Sequence, residues 1–128
     1  MQAVKLAGLE PANVFSYFEK ICSIPHGSRN TKMISDYLVS FAQEHGIRYV
    51  QDELNNVVMF QEGTCGYEDH EPVIIQGHMD MVCEKDEDCP INMDTDGLDG
   101  THDGEYVFAK GTTLGGDDGI AVAYALAL

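Results

Sequence analysis

At 128 residues the chain sits near the common size of a single domain and is long enough to bury a core. Its 22 acidic against 7 basic residues give a formal charge of -15, which repels nucleic acid and anionic membranes and speaks against a phosphate-binding role. The opening Met1-Gln2-Ala3-Val4-Lys5-Leu6-Ala7 lacks an apolar signal-peptide core, and no stretch approaches the roughly 20 apolar residues of a membrane span, so a cytoplasmic protein is expected.

Helices and strands alternate along the chain, without repeats or low-complexity linkers. Pro11 suits a first helical turn, after which Val14, Phe15, Phe18 and Ile21 form an apolar stripe. In a second helix Ile34, Tyr37, Leu38, Phe41 and Ala42 recur at helical spacing. Ser28 or Asn30 is the expected N-cap and Gly46 the left-handed C-cap. Arg48-Tyr49-Val50 and Val57-Val58-Met59-Phe60, parted by Asn55-Asn56, predict two short strands and a turn. The apolar run Val73 to Gln76 predicts a strand buried on both faces, as in the middle of an α/β sheet.

Behind that run stands His78-Met79-Asp80. In an extended chain, residues two apart project to one face. Asp80 can therefore accept a hydrogen bond from whichever ring nitrogen of His78 does not hold a metal, which is how a ligand histidine is fixed in tautomer and orientation. A lone histidine at a strand end is more often a satisfied polar group. The same-face Asp80 and the later acidic glycine turn at Asp117 shift the balance towards metal ligation.

Asp86 to Gly104 reads as a solvated acidic excursion. Its Asp94-Thr95-Asp96-Gly97-Leu98-Asp99-Gly100 invites comparison with a calcium loop. Leu98 stands where an oxygen ligand is needed and Asp99 where glycine is needed, so that reading is set aside. Tyr106 to Ala109 predicts a further strand. It leads into Gly111-Thr112-Thr113-Leu114-Gly115-Gly116-Asp117-Asp118-Gly119, whose glycines fit a tight strand-to-helix turn. A phosphate cradle is excluded there, since Asp117 and Asp118 would repel an anion and no lysine follows; carboxylates on a glycine turn suit a cation instead. Ile120 to Leu128 predicts a helix that is apolar almost all round and hence buried. It carries no stop signal, so the sequence is expected to be the N-terminal piece of a larger protein.

His26, His45, His70 and His102 show no spacing that suggests a joint site. Cys22, Cys65, Cys83 and Cys89 are irregularly spaced, with no C-x-x-C, and are expected to be free thiols, Cys83 and Cys89 as small buried residues.

The segments Ile21-Cys22-Ser23-Ile24-Pro25-His26-Gly27-Ser28, Gln76-Gly77-His78-Met79-Asp80-Met81-Val82 and Asp103-Gly104-Glu105-Tyr106 through Gly119 together resemble the bacterial aminoacyl-histidine dipeptidases, of the aminoacylase/carboxypeptidase G family of di-zinc exopeptidases. The resemblance implies a three-layer α/β/α zinc-exopeptidase-like catalytic domain, with residues 1–128 its N-terminal portion and the lid domain and C-terminal half absent. It implies that His78 binds one zinc, that Asp80 orients that imidazole, and that Asp117 bridges two zinc ions. A cis peptide between Asp117 and Asp118 is expected on the same ground. The family's general-base glutamate, its remaining ligands and a final histidine fall after the last residue here.

The expected activity is hydrolysis of Xaa-His-type dipeptides by a zinc-activated water, with a small peptide as substrate and homo-oligomerisation left open. This chain alone is expected to be inactive. Asp118 stands where that subfamily often has asparagine and related tripeptidases have aspartate, so a tripeptidase or amidohydrolase of the same family is the alternative. A catalytically silent metal-binding or interaction fragment is the alternative from another class.

Overall fold

The computed structural model describes residues 5–128; Met1 to Val4, part of the opening read above as lacking a signal-peptide core, lies outside the described residues. The elements run α1 (Ala12–Cys22), α2 (Lys32–Glu44), β1 (Arg48–Gln51), β2 (Val57–Phe60), β3 (Gly100–His102), β4 (Val107–Ala109) and α3 (Gly116–Ala127), a mixed α/β arrangement as expected. Two units form: one joins the chain up to Ile34 with Gln76–Leu128, and the other is Ser35–Ile75. No helix among the described residues is long and apolar enough to cross a membrane.

In the first unit α1 packs on α3. Pro11 stands just outside α1, as its extended N-cap residue rather than in its first turn. Val14, Phe18, Ile21 and Cys22 are buried, so the expected stripe is present with Cys22 added and Phe15 only half-buried. From α3 the buried positions are Gly119, Ala123 and Leu126, one face of the helix. Tyr124 and Leu128 are exposed, which corrects the expectation of a helix buried all round: its fully buried positions are confined to one face, and α1 packs on the helix. Composition reports how apolar a helix is, and not how many neighbours it has.

The acidic excursion contributes to this core. Ile91 and Leu98 are buried, and the Leu98 N–H donates to Cys22 O at 3.0 Å. Leu98, the residue that spoiled the calcium-loop pattern, is thus an apolar plug. The Asp96 carboxylate accepts from the Asn92 N–H at 2.8 Å, closing a turn. The expected loop also contains a strand: β3, inside Asp86 to Gly104, pairs antiparallel with β4, Gly100 facing Ala109.

The second unit is built on β1 and β2, which pair antiparallel with Arg48 opposite Phe60 and Gln51 opposite Val57. Asp52 accepts hydrogen bonds from the Leu54 and Asn56 N–H groups and from Asn56 Nδ2, and Asn55 takes the left-handed conformation the turn requires. The C-terminal part of α2 buries Leu38, Phe41 and Ala42, and its buried Ser35 donates to Asn55 O at 2.8 Å. Gly46 after α2 is left-handed (φ 66°), as predicted. Neither expected cap of α2 serves as such: the Ser28 hydroxyl donates to Asp80, and Asn30 Nδ2 donates to Asp94 O.

Val73, Ile74 and Ile75 are exposed and form no strand, contrary to the buried central strand expected. A strand exists through its partners, and among the described residues the sheets are the pairs β1-β2 and β3-β4, neither of which includes this run. The four cysteines are free, as expected. Burial pushes the Cys22 thiol up to about 12, with Glu19 adding to the effect, so it stays protonated. Cys83 is exposed and Cys89 half-buried, which corrects the expectation that both are core residues.

Candidate metal centre

Sheet-like hydrogen bonds on both sides hold the segment after His78, although it forms no regular strand. On one side Gly27 and Met81 make a parallel bridge: the Met81 N–H donates to His26 O and the Ser28 N–H to Met81 O, both at 3.0 Å. On the other side the Thr113 N–H donates to Glu84 O at 2.9 Å, the Asp86 N–H to Gly111 O at 2.8 Å, and the Thr113 hydroxyl to Val82 O at 2.7 Å. The strip carrying His78 and Asp80 is therefore fastened to the Pro25-His26-Gly27-Ser28 turn and to the run into α3. These ties bring residues about forty positions apart to one place.

His78 sits between two carboxylates. Its Nδ1 is 3.0 Å from Asp80 Oδ1 and its Nε2 is 3.0 Å from Asp117 Oδ1. The carboxylate of Asp117, then the backbone carbonyl and the carboxylate of Asp80, raise the imidazole above its ordinary range against the opposing effect of desolvation. Asp80 is held below the usual carboxylate range, first by the Ser28 hydroxyl and then by His78. An imidazolium between two carboxylates puts positive charge where a cation shared by Nε2 and Asp117 would put it, with Nδ1–H donating to Asp80 in both cases. The three residues singled out in the sequence, His78, Asp80 and Asp117, are thus brought together.

Asp117 projects into solvent, its side chain 95% exposed, at the head of α3. Gly115 before it is left-handed (φ 75°), and Asp117 and Asp118 depart from helical dihedrals. Their peptide bond is cis, as expected. Asp118 turns the other way, and its Oδ2 accepts the His78 N–H at 3.1 Å. Gly77 makes room for that contact: a Cβ built on it would lie 2.9 Å from Asp118 Oδ2. Gly77→Ala should therefore displace the Asp118 carboxylate, cost about 1 kcal/mol in denaturant unfolding, and speed hydrogen exchange at the His78 amide. Unchanged exchange would show that the contact does not protect that amide.

Two members of this arrangement escape sequence reasoning. Ser28 reads as a helix cap, and its partner Asp80 lies 52 residues away. Asp118 reads as a subfamily marker, whereas here it anchors the His78 backbone. Neither contact has a local spacing that would announce it. His26 is buried, with Nδ1 2.6 Å from Ile24 O, and burial lowers its pKa; it belongs to the turn that supports Ser28 and joins no cluster with His78.

The nitrogen and oxygen donors of His78 and Asp117 suit zinc. In a tetrahedral zinc site, ligand atoms at about 2.0–2.1 Å from the metal stand about 3.3 Å from each other, so a 3.0 Å approach of Nε2 to Asp117 Oδ1 already has nearly the right bite. Among the described residues, no group of three or more His, Cys, Asp or Glu is placed to hold a metal ion.

No protein-family model matches the chain. It is 40% identical to the cytosol non-specific dipeptidase of Escherichia coli (strain K12) over 124 residues, which make up 97% of this chain and 26% of that protein. Its fold matches the crystal structure of aminoacylhistidine dipeptidase from Vibrio alginolyticus with a TM-score of 0.91 at 41% identity, covering 96% of this chain and 25% of that one. The chain is thus similar in sequence and fold to part of these dipeptidases. It spans about a quarter of the length of each. A TM-score that high over nearly the whole chain also gives it the α/β fold of the matching part of the dipeptidase.

Proposed function

We propose that residues 1–128 form the N-terminal portion of the catalytic domain of a cytoplasmic zinc dipeptidase that hydrolyses Xaa-His-type dipeptides. The observation that carries the reading is the convergence of His78 Nε2 and Asp117 Oδ1, with Asp80 on the opposite ring nitrogen. His78 and Asp117 are the metal ligands in this reading. Asp80 holds the Nδ1 proton and so leaves Nε2 free to bind. Asp117, solvent-facing at the head of α3, would hold zinc through a carboxylate that is open to solvent. Zinc bound there supplies Lewis acidity and brings the pKa of a bound water down to about 7. The bond from the His78 amide to the Asp118 carboxylate ties the His78 backbone to the residue next to Asp117.

Two ligands fall short of the three or four that a zinc site uses, so the general base and the remaining ligands are assigned to residues outside this stretch. The 128-residue chain should then bind zinc more weakly than about 1 μM, or about -8 kcal/mol, and should not hydrolyse β-alanyl-histidine. Calorimetric titration and a ninhydrin assay check the two statements. Nanomolar binding of two zinc ions by this chain alone would refute both the ligand assignment and the division of the site.

Asp118 favours a second reading, in which tripeptides are the substrates. Its carboxylate is directed at the His78 amide rather than towards solvent, which ties this residue to the metal centre and not to substrate length. Comparing the whole enzyme on dipeptides and on the same sequences extended by one residue decides between the two.

A further inference from the structure

We propose that Ser28 is a positioning residue for the metal centre, acting through Asp80 to hold the His78 imidazole in its ligating orientation. This rests on the reading of His78 as a zinc ligand. The Ser28 hydroxyl donates to Asp80 Oδ2 at 2.6 Å, a short charge-assisted bond, while Asp80 Oδ1 faces His78 Nδ1 at 3.0 Å. The two oxygens of one carboxylate are thus divided between the hydroxyl and the imidazole.

The division has a physical consequence. The terminal torsion of an aspartate is broad and roughly two-fold, so an Asp80 tied at one oxygen alone swings about its Cβ–Cγ bond, and the imidazole loses that acceptor, keeping at Nδ1 only the Asp80 carbonyl oxygen, also 3.0 Å away. A donor on the second oxygen selects one setting. Ser28 suits that task because its backbone is fixed: its N–H donates to Met81 O at 3.0 Å, and Gly27 beside it bridges Met81 in parallel. The hydroxyl is consequently delivered from a turn bonded to the strip that carries Asp80, and its position follows any movement of that strip. The order is Ser28 to Asp80 to His78 to metal. Ser28 touches neither metal nor substrate in this scheme.

The test is a double-mutant cycle read by calorimetric zinc titration of the whole enzyme. Ser28→Ala should weaken zinc binding by about 3–10-fold, as expected for one hydrogen bond, and Ser28→Thr, which keeps the hydroxyl, should restore affinity to within about two-fold. Asp80→Ala should weaken it by about 10–100-fold. The Ser28→Ala/Asp80→Ala double variant should be no weaker than Asp80→Ala alone, because the hydroxyl then has nothing to position. A structural role for Ser28 predicts the opposite, an additive loss in the absence of Asp80, and that result overturns the proposal. So does wild-type affinity in Ser28→Ala. Unfolding of the metal-free variants shows that they are folded; should Ser28→Ala fail, Ser28→Cys, whose thiol is only a weak donor, takes its place in the cycle. Absence of any saturable zinc binding by the wild-type whole enzyme overturns the metal reading and this proposal together, whereas additive losses with intact wild-type binding overturn this proposal alone.

Discussion

Replacing Asp117 or His78 by alanine is expected to bring zinc-dependent dipeptide hydrolysis by the whole enzyme down to background. Each substitution removes a donor from the proposed site, whose two donor atoms lie 3.0 Å apart, and among the described residues no group of three or more His, Cys, Asp or Glu is placed to hold a metal ion. Asp80→Ala should be severe but incomplete, within about 10–100-fold in metal affinity or activity, because it removes the orientation of the imidazole and leaves the ligand. The ranking is the informative part. Metal content measured beside turnover separates loss of zinc from loss of chemistry, and His78→Ala with wild-type rates and full zinc occupancy would sink the assignment. Asp117→Asn sharpens it further: an amide keeps one oxygen donor but loses the negative charge, so zinc retention in Asn but not in Ala would point to ligation through a single oxygen.

How far the sequence foretold the site depends on the range of each interaction. His78 and Asp80 are two residues apart, and the rule of alternate faces placed them on each other, as the 3.0 Å contact shows. The glycine turn announced the change of direction at Asp117, and Gly115 is left-handed there. The helices were legible for the same local reason, down to the left-handed Gly46. Ser28 was misread because Ser, Asp and Asn before an apolar periodic run usually cap a helix, and nothing local signals an acceptor 52 residues away.

The run Val73 to Ile75 failed on a different count. A short apolar stretch says that burial is available to it, but not which strands will pair with it. The described residues supply no partner, and its side chains stand exposed. Leu98 is the converse: an apolar residue inside an acidic loop, discounted as loop and found in the core. In both cases composition described the segment correctly and left its neighbours undetermined.

The largest loss of stability is expected at Phe18, through the seam that carries Asp117. Phe18 is buried on α1, and a Cβ built on Gly119 would lie 3.1 Å from Phe18 Cε2 and 3.7 Å from Ile21 Cγ2, so the two helices meet where α3 offers only backbone. Phe18→Ala opens a cavity that this close approach cannot easily refill, and Phe→Ala in a core typically costs about 3–5 kcal/mol. Against a total of about 5–15 kcal/mol for a domain, that is a large share. The effect should reach the site as well. Gly119 is two residues after Asp117, so freeing the first turn of α3 lets the Asp117 carboxylate move away from His78 and lowers zinc affinity along with stability. Gly119→Ala probes the same contact from the other side, since the added methyl must push the Phe18 ring by a few tenths of an ångström. Urea unfolding gives the stability term and zinc titration the site term. A loss below about 1 kcal/mol for Phe18→Ala would mean that the α1–α3 seam collapses around the missing ring, and the mechanical link from that seam to Asp117 would then have to be given up.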